Sequence, residues 1–450
     1  MIWGRTIRRS LAVLAIAPVP YLSPQGTLAD EAGGQTEQDW NAHIQSTLTE
    51  QIHPTFPAAY SGPNSLAAGF QSRETISATA FLGVRPWTGA EIYVDPESAQ
   101  GFGFSHTFGV AGFPNGEAQK GGFVHPIYYL ARYYIRQSFG FGGGREWVAD
   151  GENQLAGWRD VSRFSVTVGQ MAATDFFDNN AYANDPRRDF TNWALWEGAA
   201  WDVPGNAHGY THGAVLELDQ PGWAVRYGAF AIPAVFNGIE TPIKTPASMS
   251  HDLEIEKGYA IDGHPGKTRL LGFYTNGPMG NYRDALALAA KGEDINAAMA
   301  STRVPGHEKF GVVLNLEQEV AEDLGAFTRL SWNNGRNEEW GYTDVDRSAQ
   351  AGISLKGGRW GRKDDTIGIG TAVNAITQAH RDFLAAGGTT LLLGDGALDY
   401  GEETDVEAYY ALAVAEPLTV TFDYQFINNP GYNQARGPVN VFGIRLHAEY

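Results

Sequence analysis

The chain has 450 residues, 43% of them hydrophobic and 18% charged, with a formal net charge of -19 and no cysteine. The acidic balance argues against nucleic acid, whose phosphates require a basic surface, and the absence of cysteine excludes thiol catalysis, disulfides and thiolate metal sites. The length would suit two or three soluble domains, but it also suits one large barrel.

Residues 1–29 read as an export signal that is removed. Arg5, Arg8 and Arg9 open it, Leu11 to Ala17 are apolar, and Thr27-Leu28-Ala29 supplies small residues for cleavage. No later apolar run approaches the ~18 residues that a spanning helix needs. The remainder, residues 30–450, is expected to form one domain with strands from about 39 to 450.

The strand signal is a period of two. Ile76, Ala78, Ala80 and Leu82 share one face, and Thr75, Ser77 and Thr79 the other. Phe310, Val312, Leu314 and Leu316 oppose Gly311, Asn315 and Glu317, while Leu324, Ala326, Leu330 and Trp332 oppose Asp323, Arg329 and Ser331. Val406, Ala408, Tyr410, Leu412 and Val414 oppose Glu407, and Leu418 to Phe426 alternate in the same way. The end of the chain is the clearest case: Phe442, Ile444, Leu446, Ala448 and Tyr450 oppose Gly443, Arg445, His447 and Glu449. Successive side chains of a strand point to opposite faces, so these are ribbons with one apolar and one polar side. Each is about the length of the 9–11 residues a tilted strand needs to cross a bilayer.

Between these runs, short and long connections alternate. Short turns are expected at Gly83–Pro86, Asp219–Gly222, Asp262–Lys267, Glu319–Glu322, Lys356–Lys363 and Glu416–Pro417, with an enlarged turn near Phe139–Trp158. Long loops are expected near His53–Ser72, Pro96–Pro126, Gln170–His208, Pro233–Asp252, Asn276–Gly306, Asn334–Val345, Ile376–Glu402 and Asn428–Arg436, with helical character at Tyr282–Lys291 and Phe190–Trp196. Sandwiches have no reason to gather every long loop at one end, whereas outer-membrane barrels do. The expectation is therefore an all-β fold: a closed antiparallel transmembrane β-barrel of about 16 strands with short periplasmic turns and long extracellular loops, some folded inward. Trp87, Trp223, Tyr227, Trp332, Trp340 and Tyr450 near strand ends suit the aromatic girdles of such a barrel, although an aromatic soluble core would have a similar count.

No motif points to catalysis. Gly266-Lys267-Thr268 lacks the earlier glycine of a phosphate loop, since Ile261 stands there. His208 and His212 are too far apart on a strand to share a metal, and Ser105 with His106 has no nucleophile-elbow spacing. No cofactor or metal is expected. The second and third long loops are richer. One carries Phe102, Phe104, Asn115, Glu117 and Lys120; the other carries Asp175 to Asn180, Asn184 to Arg188 and Asn192 to Trp196. Aromatic faces stack on the C–H faces of pyranoses, and planar donors and acceptors pair with vicinal hydroxyls. The same composition would equally serve loops that pack on one another and on the barrel wall.

Several stretches also resemble the carbohydrate-selective porin family of OprB type. They are Trp87 to Tyr93, Gly101 to Lys120 with its Gly109-Val110-Ala111-Gly112-Phe113 centre, Gln154 to Gly157, Asp175 to Tyr182, Asp189 to Ala194, and Tyr432 to Val439. The resemblance implies a 16-stranded outer-membrane barrel that passes small neutral sugars by diffusion, with loops folded into the lumen as its constriction. The residues expected to line that constriction are Glu91, Tyr93, Asn115, Glu117, Lys120, Arg132, Arg136, Asp175, Asp178, Asn179, Asn180, Arg188, Trp193 and Trp196. Further expected partners are outer-membrane lipid and lipopolysaccharide, and the barrel-assembly machinery through the last strand; the barrel would stand as a monomer or a homotrimer. A general diffusion porin, a barrel enzyme and an exported polysaccharide-binding β protein are the alternative readings.

Overall fold

Alternation of this kind folds here into a closed ring of sixteen antiparallel strands. The structure, a computed structural model, describes residues 36–120, 122–243 and 248–450; the expected export signal lies outside the described residues. The strands are β1 (Trp40–His53), β2 (Gln71–Trp87), β3 (Ala90–Gly101), β4 (Phe123–Val148), β5 (Gly157–Met171), β6 (Thr211–Gln220), β7 (Trp223–Ala231) and β8 (Met249–Ile261). They continue as β9 (His264–Gly277), β10 (His307–Ala321), β11 (Leu324–Asn333), β12 (Arg347–Lys356), β13 (Thr366–Ala375), β14 (Glu403–Ala415), β15 (Leu418–Asn428) and β16 (Val439–Glu449). Each pairs with its chain neighbour, and β1 closes the ring on β16 from Gln45↔Glu449 to Ile52↔Phe442.

The faces are inverted relative to a soluble protein. Ile76, Val312, Leu330, Phe422 and Ile444 are 38–50% exposed, while Thr75, Asn315, Arg329, Glu407 and Arg445 on the opposite parity are buried. Apolar groups on the outside and charges on the inside suit a barrel whose wall meets lipid, since closure leaves no backbone edge unpaired in hydrocarbon. Trp40, Trp87, Trp158 and Trp223 stand exposed near the short-turn ends, where a girdle belongs.

Several boundaries differ from the sequence reading, and two show why. β2 runs through Gly83–Pro86 to Trp87, and the turn is Thr88–Gly89; a register shift between Val84 and Trp87 absorbs Pro86, which cannot donate to the ladder. The Phe139–Trp158 segment is mostly strand. Gly142, Gly143 and Gly144 all have positive φ, and the β4–β5 register shifts on either side of Gly142, so glycines that suggested a turn make bulges instead. The connection itself is 149–156.

The long loops fold into the barrel and fill much of it. A short helix α1 (Trp193–Trp196) sits in the lumen, and α2 (Tyr282–Ala289), α3 (Ile295–Ser301) and α4 (Gln378–Ala385) belong to the later loops. Backbone entering a lumen must find hydrogen-bond partners, and wall side chains supply them. Glu403 accepts from the N–H groups of Ala111, Gly112 and Gly431, and Glu407 accepts from those of Thr191 and Asn192. Arg329 donates to the carbonyls of Asp178, Ala183 and Leu195, and Arg445 to those of Pro186, Arg188 and Asp189.

Candidate functional site

Inside the barrel the second loop, which follows β3, the third loop (172–210) and wall residues of β1, β2 and β4 enclose a polar cavity of about 550 Å³. Its floor is the β4–β5 connection, which turns inward so that Glu152, Asn153 and Gln154 line it. Asn153 reaches the wall by donating to Asp95 at 2.8 Å, and Glu152 pairs with Arg188 at 3.1 Å. Arg136, Asp175 and Asn179 also border a smaller space of about 190 Å³ toward the short-turn end, together with Arg159, Arg163 and Arg226.

The walls carry paired charges. Arg187 lies 3.0 Å from both Glu97 and Glu117, and Lys120 approaches the same carboxylates at 3.6 and 3.5 Å. Burial pushes the Glu117 carboxyl up, but Arg187 and Lys120 outweigh it and hold the group below its ordinary value. Arg132 grips Asp175 with two bonds of 2.7 and 2.6 Å and sits with Lys120 over the ring of Tyr210. The planar fork of arginine makes such bidentate pairs geometrically fixed.

Against this charge lies an aromatic wall. Phe113 stacks on Trp193 at 5.2 Å, and Trp193 meets Trp196 edge-on at 4.9 Å. Both indole N–H groups are buried without a partner, as are both carboxyl oxygens of the neighbouring Glu197. Orphaned buried donors and acceptors are rare in native interiors and ask for a water or a ligand.

Of the residues singled out from sequence, Glu117, Lys120, Arg132, Arg136, Asp175, Asn179, Arg188, Trp193 and Trp196 border the larger cavity. Five others lie behind its surface. Asn115 donates to Thr75, Asn180 to Asn315, and Asp178 is buried against Arg329 at 3.1 Å, where it also accepts from the Gly198 N–H. Glu91 is shared by Arg85, Arg159 and Arg136 at 3.1, 3.2 and 3.8 Å, and Tyr93 donates to it at 2.9 Å while accepting from the Leu155 N–H. That pair supports the inturned β4–β5 connection.

Arg187, Glu152, His208 and Tyr210 border the cavity without having been singled out, and Glu97 lies behind them as the partner of Arg187 and Tyr210. Arg187 stood beside Arg188 in sequence, and nothing in the spacing told which would turn inward. Glu97 was assigned to a loop because β3 is longer than Pro96 suggested.

Residues 83–450 match the family described as carbohydrate-selective porin, OprB family. The fold is similar to the high-pH structure of Pseudomonas putida OprB, with a TM-score of 0.67 and 17% identity over 92% of this chain and 94% of that one. It is also similar to the low-pH structure of the same protein, with a TM-score of 0.50 and 13% identity over 92% and 93%. No curated protein sequence matches the chain. The inverted barrel, the loop-filled lumen and a match over most of its length agree: the chain belongs to the OprB family of carbohydrate-selective porins of the bacterial outer membrane.

Proposed function

We propose that the cavity is the selective passage for small neutral sugars of glucose size. Its constriction would be formed by Glu117, Lys120, Arg132, Arg136, Asp175, Asn179, Arg188, Trp193 and Trp196 from the sequence reading, with Arg187 and Tyr210 added. The observation that carries this is the pairing of compensated charges with orphaned indole donors. Charges already matched by salt bridges leave little net field to hold an ion, yet keep many donors and acceptors for hydroxyls. A permeant sugar would exchange part of its hydration for these groups and be released because no single contact is strong. The unpartnered N–H of Trp193 and of Trp196, and the free oxygens of Glu197, are where its hydroxyls find new partners.

Glu91, Tyr93, Asn115, Asp178 and Asn180 act in this reading as supports that fix loops and wall. The test is single-channel recording in planar bilayers with and without glucose. Saturable reduction of a small conductance is expected, and Trp196→Phe, which keeps an aromatic ring but removes the N–H, weakens it by roughly 2- to 10-fold, the worth of one hydrogen bond. A conductance indifferent to glucose overturns the proposal.

A further inference from the structure

Among the described residues, the long-loop end of β4 lacks a ladder partner on one side. β4 pairs with β3 from Gly101↔Phe123 onward, but its ladder with β5 begins only at Tyr133↔Gln170. β5 stops at Met171 and β6 starts at Thr211, so residues 123–132 of β4 have no ladder partner on this side among the described residues and form an open edge. Open edges in membrane barrels are exceptional, because closure is what satisfies the backbone. Here the Gln170 side chain substitutes in part, donating to the carbonyls of Leu130 and Ala131.

A groove of about 660 Å³ runs along that edge, walled by Phe123, Tyr128 and Leu130 on one side and by Ile239 and Pro242, in the connection after β7, on the other. It lies at the outer margin of the lipid-facing belt, just beyond the outward Tyr133–His212 hydrogen bond of 2.7 Å. Its back wall is thin. His208 and Tyr210 border both the groove and the lumen cavity. The His208 ring stacks on Tyr129 at 4.4 Å, and the Tyr210 hydroxyl donates to Glu97 on the lumen side. Nδ1 of His208 is buried there with no hydrogen-bond partner.

Apolar walls continuous with the lipid belt, ending on an unpartnered imidazole nitrogen beside the sugar cavity, describe an amphiphile with an apolar tail and a hydroxyl-rich head. We propose that this groove is a lateral binding site for amphiphilic glycosides, the alkyl or aryl group lying along the β4 edge and the sugar meeting His208. The inference rests on the sugar-porin reading for its choice of head group, and on the open edge for its place.

The test uses the full-length protein in planar bilayers, with hexyl β-glucoside and glucose as probes and current reduction as the readout. Burial of about two methylenes already accounts for a roughly tenfold gain. Hexyl β-glucoside is therefore expected to act at about one-tenth the concentration of glucose, or lower. Tyr128→Ser and Ile239→Asn, both outside the lumen cavity, are expected to abolish that advantage while leaving the response to glucose unchanged. An aryl-azide glucoside should, after irradiation, label residues 123–130 or 239–242. The proposal is overturned if the alkyl chain gives no advantage, if the advantage survives both variants, or if labelling spreads evenly around the belt. Loss of the glucose response alone, with the groove-dependent response intact, would sink the sugar-porin reading and leave this site standing.

Discussion

The guanidinium of Arg187, on the third loop, lies 3.0 Å from Glu97 on the barrel wall and an equal distance from Glu117 on the second loop. One side chain therefore ties both loops to β3. Removing it leaves two carboxylates with Lys120 alone, and breaking a buried charge pair costs about 3–5 kcal/mol. Arg187→Met is expected to lower the denaturant midpoint and to raise single-channel conductance, because the loops lose their joint tether. Conductance equal to wild type would show that the loops are held without this bridge.

The wall carboxylates make a second, separable contribution. Glu407 accepts from the N–H groups of Thr191 at 2.6 Å and Asn192 at 2.9 Å, immediately before α1. A buried N–H left unpaired costs about 1–3 kcal/mol, so Glu407→Ala is expected to destabilise by a few times RT and to free the segment carrying Trp193 and Trp196. The readout is a noisier open channel together with weaker glucose-dependent current reduction. Glu407→Gln keeps one acceptor oxygen and should fall between the two.

These clamps explain what the sequence could and could not tell. The alternation of Phe442, Ile444 and Leu446 against Arg445 and His447 disclosed the barrel because period two survives any choice of partner strand. The net charge of -19 by itself suggests an acidic surface. Many of those acids instead lie buried, as Glu403, Glu407, Glu254 and Asp202 do, accepting hydrogen bonds from inward loop backbone. A carboxylate on the inner parity of a strand looks the same whether it meets water or a loop N–H. For the same reason Asp178 and Asn180, adjacent to Asn179, could not be separated from it: loop side chains follow no period. The inturn of Glu152–Gln154 left no signal beyond an oversized connection.

The outer face yields a different kind of expectation. Ile444 stands midway along β16, outward and 49% exposed, whereas its neighbour Arg445 is buried in the lumen. Arginine on the lipid side at the bilayer midplane costs about 2–4 kcal/mol. Ile444→Arg should therefore reduce the guanidinium midpoint for unfolding from lipid vesicles, while Ile444→Leu leaves it nearly unchanged. Equal midpoints for the two variants would place this face away from hydrocarbon.

Glu197 gives a pH dependence whose sign can be worked out. It follows α1, is 2% exposed, and neither carboxyl oxygen has a partner. Burial first, and the nearby Asp178 second, push its pKa well above the ordinary 4.5, with Arg329 opposing them. A carboxyl whose folded pKa is raised binds its proton more tightly in the folded state. Its contribution to stability is complete below 4.5, the unfolded value, and is lost as pH rises through the folded value. Glu197→Gln fixes the neutral form in nearly the same shape. The variant and wild type should thus unfold at similar temperatures in acid, and the variant should become the more stable of the two as pH is raised. Parallel curves across the whole range would mean that Glu197 is ionised in the folded barrel and has found a counter-charge within the cavity.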